Sequence, residues 1–288
     1  MPDSTNTAFD PETERLLAEA RERGKRSFSR TERLTYWLSS FGFIAAALGL
    51  LLGQATTRSL PHTWVVVLLV GSYAIASRLE FEVGSTLAIP TELVLIEMLF
   101  LLPPEQVPLW VLAGGLLSQA PEYLSGVVPL ERALIIVGSS WFALGPAIVF
   151  RSFDGPSAEM SARTLGILGL AIAAQFAIDA VTSSAREWTA LQVPPRKTVA
   201  GMPLVFTIDL VLAPIGLLAA IAASRGNAAL LLPLPLLFVI ALTTRERQTR
   251  FDQALELSSA YRGTAFLLGD VIEADDAYTG AHSRDVLD

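Results

Sequence analysis

Residues 202–222 read MPLVFTIDLVLAPIGLLAAIA and contain one charged side chain, that of Asp209. A helix needs roughly 20 predominantly apolar residues to cross the hydrocarbon core of a bilayer, and this stretch meets that requirement. Comparable apolar stretches lie at 34–53, 63–78, 87–102, 106–121, 132–150, 163–183 and 227–243. The sequence therefore predicts an all-α fold, a polytopic membrane helix bundle of about eight spans. Six or seven spans are the alternatives, because 63–78 is short and Pro103-Pro104 interrupts 87–121.

The composition supports a membrane protein and excludes several classes of function. Of the 288 residues, 52% are hydrophobic and 17% are charged, whereas an ordinary soluble domain is about 25% charged. The chain has no cysteine, which excludes disulfides and thiolate metal sites, and its two histidines are too few for a three-histidine metal centre. The formal net charge of -7 argues against nucleic-acid binding, which takes a basic surface.

The lysine and arginine residues indicate the orientation. With eight spans, seventeen of the 21 basic residues fall on the side that holds both termini. Basic residues concentrate on the cytoplasmic side of membrane proteins, so we expect cytoplasmic N- and C-termini and an even number of spans. Residues 1–33 are then a cytoplasmic tail with a short helix from Asp10 to Gly24, and residues 34–243 are the membrane domain, in contact with the lipid bilayer.

After the last span, residues 244–267 are polar, free of proline and compatible with a helix. Apolar or small residues recur there and just beyond at alternating intervals of three and four, at Phe251, Ala254, Ser258, Tyr261, Ala265, Leu268 and Ile272. This spacing is typical of the seam of a parallel coiled coil and predicts a homodimer through a cytoplasmic connector helix. Because Ser258 and the alanines bury little surface, the segment is either a poor coiled coil or a helix that shifts register.

Four carboxyl groups fall inside the predicted spans, those of Glu92, Glu97, Asp179 and Asp209. A charge at the bilayer centre costs about 2.5–3.5 kcal/mol on the insertion scale, so these groups should face the interior of the bundle. No lysine or arginine lies beside them, which predicts protonated groups or hydrogen bonds to Gln175, Thr207 or the backbone. Asp179 and Asp209 should lie at comparable depth. The set is either a ligand pocket or proton-sensitive cluster of a sensor, or a set of interhelical hydrogen bonds that fixes the packing.

Two further patterns concern local structure. Residues 80–86 alternate between apolar and polar, which predicts a short extended segment beside the bundle, suited to a gate or a sensor lip. Small residues let membrane helices approach closely, and six glycines in the spans are candidates for such contacts: Gly114, Gly115, Gly138, Gly145, Gly166 and Gly169.

The last residues of the chain carry a specific motif. They read Asp276-Ala277-Tyr278-Thr279-Gly280-Ala281-His282-Ser283, followed by Val286. This run resembles the opening of an HD-GYP domain, a bacterial branch of the HD phosphohydrolases, which begins with an acid, one residue, Tyr-Thr-Gly, one residue and His-Ser. The resemblance implies that 268–288 start an all-helical domain and that His282 is its first metal ligand. In such a domain, divalent metal ions (iron or manganese) activate a water and neutralise phosphate oxygens during hydrolysis of cyclic di-GMP.

The sequence stops at Asp288, before the His-Asp pair, the later ligand histidines and the Gly-Tyr-Pro loop of that family. We therefore expect the front part of a longer protein of the bacterial inner membrane, whose catalytic centre this chain alone does not complete. The leading hypothesis is the membrane sensor region of a metal-dependent HD-GYP-type phosphodiesterase acting on a cyclic dinucleotide. The alternatives are a small multi-span transporter and a non-catalytic membrane signalling or scaffold protein.

Overall fold

Long α-helices account for most of the chain in the computed structural model, which describes residues 28–53, 59–83, 86–246 and isolated residues between 249 and 264. The helices are, in chain order, α1 (Arg30–Leu52), α2 (Thr63–Ala76), α3 (Glu92–Leu101), α4 (Val107–Ser118), α5 (Ala120–Leu124), α6 (Ala133–Ser139), α7 (Leu144–Ser152), α8 (Ala162–Leu191), α9 (Pro195–Arg225) and α10 (Ala228–Glu246). Short 3-10 turns lie at Pro104–Gln106, Leu130–Arg132 and Ser140–Ala143, and the 3-10 turn Asn227–Leu231 forms the start of the helical segment α10.

The chain forms two units, each with more contacts inside it than to the other. One is Lys25–Thr244, and the second is made of Met1–Gly24 and Arg245–Asp288. The first unit contains the predicted membrane domain. The predicted tail helix between Asp10 and Gly24 and the predicted HD-GYP opening at 268–288 lie outside the described residues. Within the predicted connector at 244–267, the residues that the structure describes are helical, and the others lie outside the description.

Five helical segments of the described chain are long and apolar enough to cross a membrane. They are α1, the 23-residue segment Leu130–Ser152 that contains α6 and α7, and α8, α9 and α10. The helices found at the other three predicted spans are shorter, with 14 residues in α2, 10 in α3 and 12 in α4. At 1.5 Å per residue, α3 is about 15 Å long, half the thickness of the hydrocarbon core. Eight full-length spans are therefore not confirmed.

The short helix α3 lies at the centre of the core. Nine of its ten residues are buried, from Glu92 to Phe100, as expected for a mainly apolar helix inside a protein core. It packs most extensively against α9. Gly216 of α9 makes this approach close, because a Cβ there would lie 2.9 Å from the carbonyl oxygen of Leu93 and 3.0 Å from Cβ of Ile96. Sequence hydropathy alone does not distinguish such a core helix from a span.

The residues between α2 and α3 form a small antiparallel hairpin, with β1 (Phe81–Val83) paired to β2 (Thr86–Ala88). The extended segment predicted at 80–86 is thus confirmed. The strand β2 lies against α9, and the hairpin leads directly into the buried start of α3.

Both ends of α1 are held by specific hydrogen bonds. At its start, Ser29 and Glu32 form a capping box, in which each side chain accepts a hydrogen bond from the backbone N–H of the other residue. At its end, Nη1 of Arg151 donates to the carbonyl oxygen of Leu50 at 2.6 Å, where a cation also interacts favourably with the helix dipole. Because Arg151 ends α7, α1 runs parallel to the segment Leu130–Ser152.

Close helix contacts occur at four of the six glycines predicted for that role. A Cβ at Gly145 would lie 2.6 Å from the backbone C and O of Ala174, so α7 and α8 touch through their backbones. Cβ atoms at Gly114, Gly115 and Gly138 would lie 2.7, 3.0 and 3.2 Å from side chains of neighbouring helices. The prediction is wrong for Gly166 and Gly169, where a Cβ would meet nothing within 4 Å, because these glycines do not lie on a packed face of α8.

Replacement of Gly145 by alanine should destabilise the bundle. The added methyl group meets the backbone of α8, which cannot rotate away as a side chain can, and overpacking of this kind costs about 1–3 kcal/mol. Reversible unfolding in detergent micelles measures the effect. The matched controls are Gly166→Ala and Gly169→Ala, where the free energy of unfolding should stay constant or rise by up to about 1 kcal/mol because alanine favours helix. Equal stability of Gly145→Ala and the controls would contradict the close contact.

Candidate functional site

Three of the four predicted acidic residues line one cavity. Glu92, Asp179 and Asp209 face a space of about 490 Å³ between the start of α3 and the helices α8 and α9. Asp179 and Asp209 are near enough to each other for electrostatic interaction, and their comparable depth in a membrane stays a prediction. We call this space the acidic cavity.

The cavity follows from the pairing of two long antiparallel helices. A tight turn joins α8 to α9: Gln192 adopts the left-handed conformation at φ 56°, and Pro195 occupies the first turn of α9, where its missing N–H costs nothing. The facing stripe of α8 is polar and consists of Gln175, Asp179, Ser183 and Glu187, spaced by four residues. Residues four apart lie on the same side of a helix, so α8 presents one continuous polar face to the cavity.

The inner end of the cavity contains a buried amide–carboxyl pair. Nε2 of Gln175 donates a hydrogen bond of 2.7 Å to Oε2 of Glu92, and the two residues are only 7% and 2% exposed. Oε1 of Gln175 has no hydrogen-bond partner among the described residues. Asp209 lies close enough to Glu92 for an unfavourable interaction between like charges. This end therefore contains several acceptor oxygens, and the amide Nε2 of Gln175 already donates to Glu92.

A chain of hydrogen bonds leads from Asp179, in the cavity, to the neighbouring helix α6. The hydroxyl of Ser183 donates to Oδ1 of Asp179 at 2.9 Å and accepts from Nη2 of Arg186 at 3.0 Å. Nη1 of Arg186 donates to the carbonyl oxygen of Gly138 in α6 at 2.5 Å. Asp179 is thereby connected to α6 through Ser183 and Arg186, which we call the Arg186 link.

The Arg186 link continues to the first helix. The hydroxyl of Ser39 in α1 also donates to the carbonyl oxygen of Gly138, at 3.4 Å. The indole Nε1 of Trp141 in turn donates to the carbonyl oxygen of Ser39 at 3.0 Å. These hydrogen bonds connect Asp179 to two helices that do not line the cavity.

The outer end of the cavity lies near the turn between α8 and α9. There the hydroxyl of Thr198 donates to Oε2 of Glu187 at 2.7 Å. Between the two ends the walls are mainly apolar, and the rings of Phe176 and Phe206 pack with their centroids 4.7 Å apart. The cavity thus has carboxyl groups at both ends, with the polar face of α8 along one side and apolar side chains of α9 along the other.

Glu97 and Thr207 do not belong to this arrangement. Glu97 does not line the acidic cavity: its side chain is fully buried in α3, and neither carboxyl oxygen has a hydrogen-bond partner among the described residues. The prediction that Thr207 bonds to an acid is wrong, because this exposed hydroxyl donates to the carbonyl oxygen of Pro203 in its own helix. The predicted partner Gln175 is confirmed for Glu92.

Sequence reasoning missed Ser183, Arg186 and Glu187. The predicted sixth span ended at 183, whereas α8 continues to Leu191, so Glu187 lies beyond the predicted span. The four-residue spacing from Gln175 to Glu187 is present in the sequence and is the signal that identifies the polar face.

The structure does not test the predicted metal ligand, because His282 lies outside the described residues. Within the described part of the chain, no three histidine, aspartate or glutamate side chains are grouped closely enough to hold a metal ion.

A second cavity of about 640 Å³ lies between α1, α7 and α8. Its lining is apolar except for Arg151 and Thr182 and a few backbone groups. The guanidinium of Arg151 already donates to Leu50, and the hydroxyl of Thr182 donates to the carbonyl oxygen of Ile178. The chemistry of a functional site is therefore concentrated in the acidic cavity.

Comparison of the chain with protein-family models, with curated proteins and with solved structures found no match in any of the three.

Substitution of Gln175 by leucine should destabilise the protein by about 2 kcal/mol, because it leaves the buried carboxyl group of Glu92 without its donor. Reversible unfolding in micelles measures this effect. Adding Glu92→Leu removes the orphaned group, so the double variant should be more stable than the sum of the two single effects by about 1 kcal/mol or more.

The control for this experiment is Thr207→Val, which has nearly the same shape and removes an exposed hydroxyl that bonds within its own helix. Its stability should change by less than about 0.5 kcal/mol. Strict additivity of the two single effects at Gln175 and Glu92 would show that the two side chains do not interact.

Proposed function

We propose that the helical bundle is the membrane sensor region of an HD-GYP-type phosphodiesterase and that the acidic cavity is its sensing site. The observation that carries this proposal is the Arg186 link, which joins a carboxyl group inside a cavity to helices outside it. A sensor requires a ligand site that is coupled to a structural element with two arrangements. The acidic cavity, with its hydrogen bonds to α6, would be the ligand site.

The cavity has the properties of a small-molecule site. Such sites have volumes of about 300–1,000 Å³, mostly apolar walls and a few convergent polar groups, which matches about 490 Å³ with apolar walls and four carboxyl groups. A ligand that engages Asp179 competes with Ser183 for its oxygens. Loss of the Ser183 contact weakens the hold of Arg186 on α6, and the packing of α6 against α1 then changes.

Two ion pairs support an arrangement with both termini on one side of the membrane. Arg78, after α2, pairs with Glu122, after α4, so the segment containing α3 and α4 begins and ends on the same side. Arg33, near the start of α1, lies 4.0 Å from Glu131 at the start of Leu130–Ser152. We propose an even number of crossings, eight if α3 and α4 each cross and six if they form a re-entrant pair, with cytoplasmic termini in a bacterial inner membrane.

The proposed output lies beyond α10. The connector at 244–267 would dimerise two copies, and His282 would supply the first ligand of a metal centre containing iron or manganese. His282 alone does not fit a complete centre, since a metal of this kind takes three or more protein ligands. The proposal therefore concerns the full-length protein, in which a His-Asp pair and a Gly-Tyr-Pro loop are expected to follow this chain.

A transporter is the second candidate, because carboxyl groups along a membrane cavity are also typical of substrate and proton pathways. Uptake of a radiolabelled cation into proteoliposomes would favour it. The HD-GYP-like motif at 276–283 has no role in a transporter and favours the sensor.

Hydrolysis of cyclic di-GMP by the full-length protein in nanodiscs, with iron or manganese supplied, tests the proposal. We expect His282→Ala to reduce the rate by about 100-fold or more, because it removes a metal ligand. We expect Ser183→Ala to change the rate by about threefold or more, because breaking a coupling network shifts its free energy by roughly 0.5–2 kcal/mol.

Ser152→Ala is the matched control for Ser183→Ala. Its hydroxyl bonds within α7, to the carbonyl oxygen of Ile148, so hydrolysis should be unchanged. Absence of cyclic di-GMP hydrolysis in the wild-type protein would refute the assigned output. Hydrolysis that is equally unaffected by both serine substitutions would refute control through the Arg186 link.

A further inference from the structure

We propose that the acidic cavity binds a linear aliphatic polyamine taken from the cytoplasm. This inference names the ligand of the proposed sensing site and rests on the proposed function only for its signalling consequence. The observations behind it are the charge of the cavity, the spacing of its carboxyl groups, an unpaired buried acceptor and the apolar side chains that α9 contributes to the cavity.

The charge of the cavity selects a cation. Four carboxyl groups line it, those of Glu92, Asp179, Glu187 and Asp209, and no lysine or arginine is among the lining residues. The nearby guanidinium of Arg186 interacts electrostatically with Asp179 but donates its hydrogen bonds to Ser183 and to the carbonyl oxygen of Gly138. Arg196 and Lys197 precede Thr198 in sequence but are exposed. A positively charged ligand would therefore stabilise the ionised form of these acids, and an anion would not.

The spacing of the carboxyl groups selects an elongated cation. Asp179 and Glu187 are eight residues apart on one face of α8, which corresponds to about 12 Å along the helix axis. Glu92 interacts with Asp209, Asp209 with Asp179 and Asp179 with Glu187, so the acids form a row that ends at Glu187, the hydrogen-bond partner of Thr198 at the outer end. A linear polyamine carries ammonium groups at both of its ends and matches this distribution, whereas a single small cation reaches one end only.

The unpaired acceptor in the cavity is the amide oxygen of Gln175. This residue is 7% exposed, lines the cavity and has no partner for Oε1 among the described residues. A buried polar atom without a partner costs about 1–3 kcal/mol. An ammonium group has three N–H donors and no acceptor, so it would satisfy Oε1 of Gln175 together with the nearby carboxylates.

The middle of the cavity suits a methylene chain. Met202, Val205 and Phe206 of α9 line it between the two acidic ends, and burial of apolar surface there contributes about 0.8 kcal/mol per methylene group. The ring faces of Phe176 and Phe206 also attract a nearby cation. In the proposed orientation the α8–α9 turn faces the cytoplasm, so the outer end at Glu187 and Thr198 is the entrance.

Isothermal titration of the full chain in detergent micelles with spermidine tests the inference. The extended length of spermidine matches the separation of the two acidic ends, whereas putrescine is a shorter diamine and hexylamine a monoamine. We expect saturable binding of spermidine. Its affinity should be at least about tenfold higher than the affinities of putrescine and hexylamine, a difference of about 1.4 kcal/mol.

Variants at the two ends locate the ligand. Glu187→Gln and Asp209→Asn should each weaken spermidine binding by about tenfold, and Glu159→Gln, an exposed acid between α7 and α8, should not. Each variant is first checked for wild-type helicity, and the comparison of amine lengths on the wild-type chain tests the ligand assignment without any variant.

Equal affinities for spermidine and putrescine, equal losses in Glu187→Gln and Glu159→Gln, or no saturable binding would each overturn the inference. Displacement of spermidine by Mg²⁺ at equal concentration would overturn it in favour of a metal site. The proposed function is tested separately. If spermidine binds but leaves cyclic di-GMP hydrolysis of the full-length protein unchanged, the ligand assignment stands and the sensing function is refuted.

Discussion

The cost of placing carboxyl groups among apolar helices determines which faces of α3, α8 and α9 point inward. Each such group costs about 2.5–3.5 kcal/mol even on the lenient insertion scale, so Glu92, Asp179 and Asp209 cannot face lipid. All three groups instead face one shared cavity, where Gln175 donates a hydrogen bond to Glu92 and Ser183 donates one to Asp179. The backbone contact of α7 with Ala174 and Gln175 at Gly145 fixes the position of that first donor.

Hydropathy predicted much of the fold but not the role of each apolar stretch. The five long apolar segments were all predicted, because an apolar stretch long enough to cross the bilayer is typical of a membrane span. The stretch at 87–102 has the same composition, yet it contains the short core helix α3, since burial by neighbouring helices and burial by lipid favour the same residues. A tertiary contact such as that of Gly216 with Leu93 distinguishes a core helix from a span. Such contacts between helices cannot be read from a single sequence.

The acidic cavity was predicted only in part, for a related reason. Asp179 and Asp209 were recognised as acids in spans, whereas Glu187 lies in the part of α8 beyond the apolar stretch and carries no hydropathy signal. The Arg186 link depends on a carbonyl oxygen of α6, and backbone acceptors on another helix are invisible to sequence patterns. What the structure adds is therefore a row of hydrogen bonds that connects the cavity to α6 and α1.

The proposed sensing site requires that the acidic cavity be open to water on the side of the membrane where the α8–α9 turn lies, which we expect to be the cytoplasmic side. The chain has no cysteine, so a single introduced cysteine can be labelled without background. We predict that Met202→Cys, inside the cavity, reacts with a water-soluble cationic thiol reagent in inside-out vesicles and does not react in right-side-out vesicles. Leu210→Cys should be unreactive in both, because Leu210 is 50% exposed on the outer surface of α9, where lipid would cover it. Failure of Met202→Cys to react from either side would contradict the account.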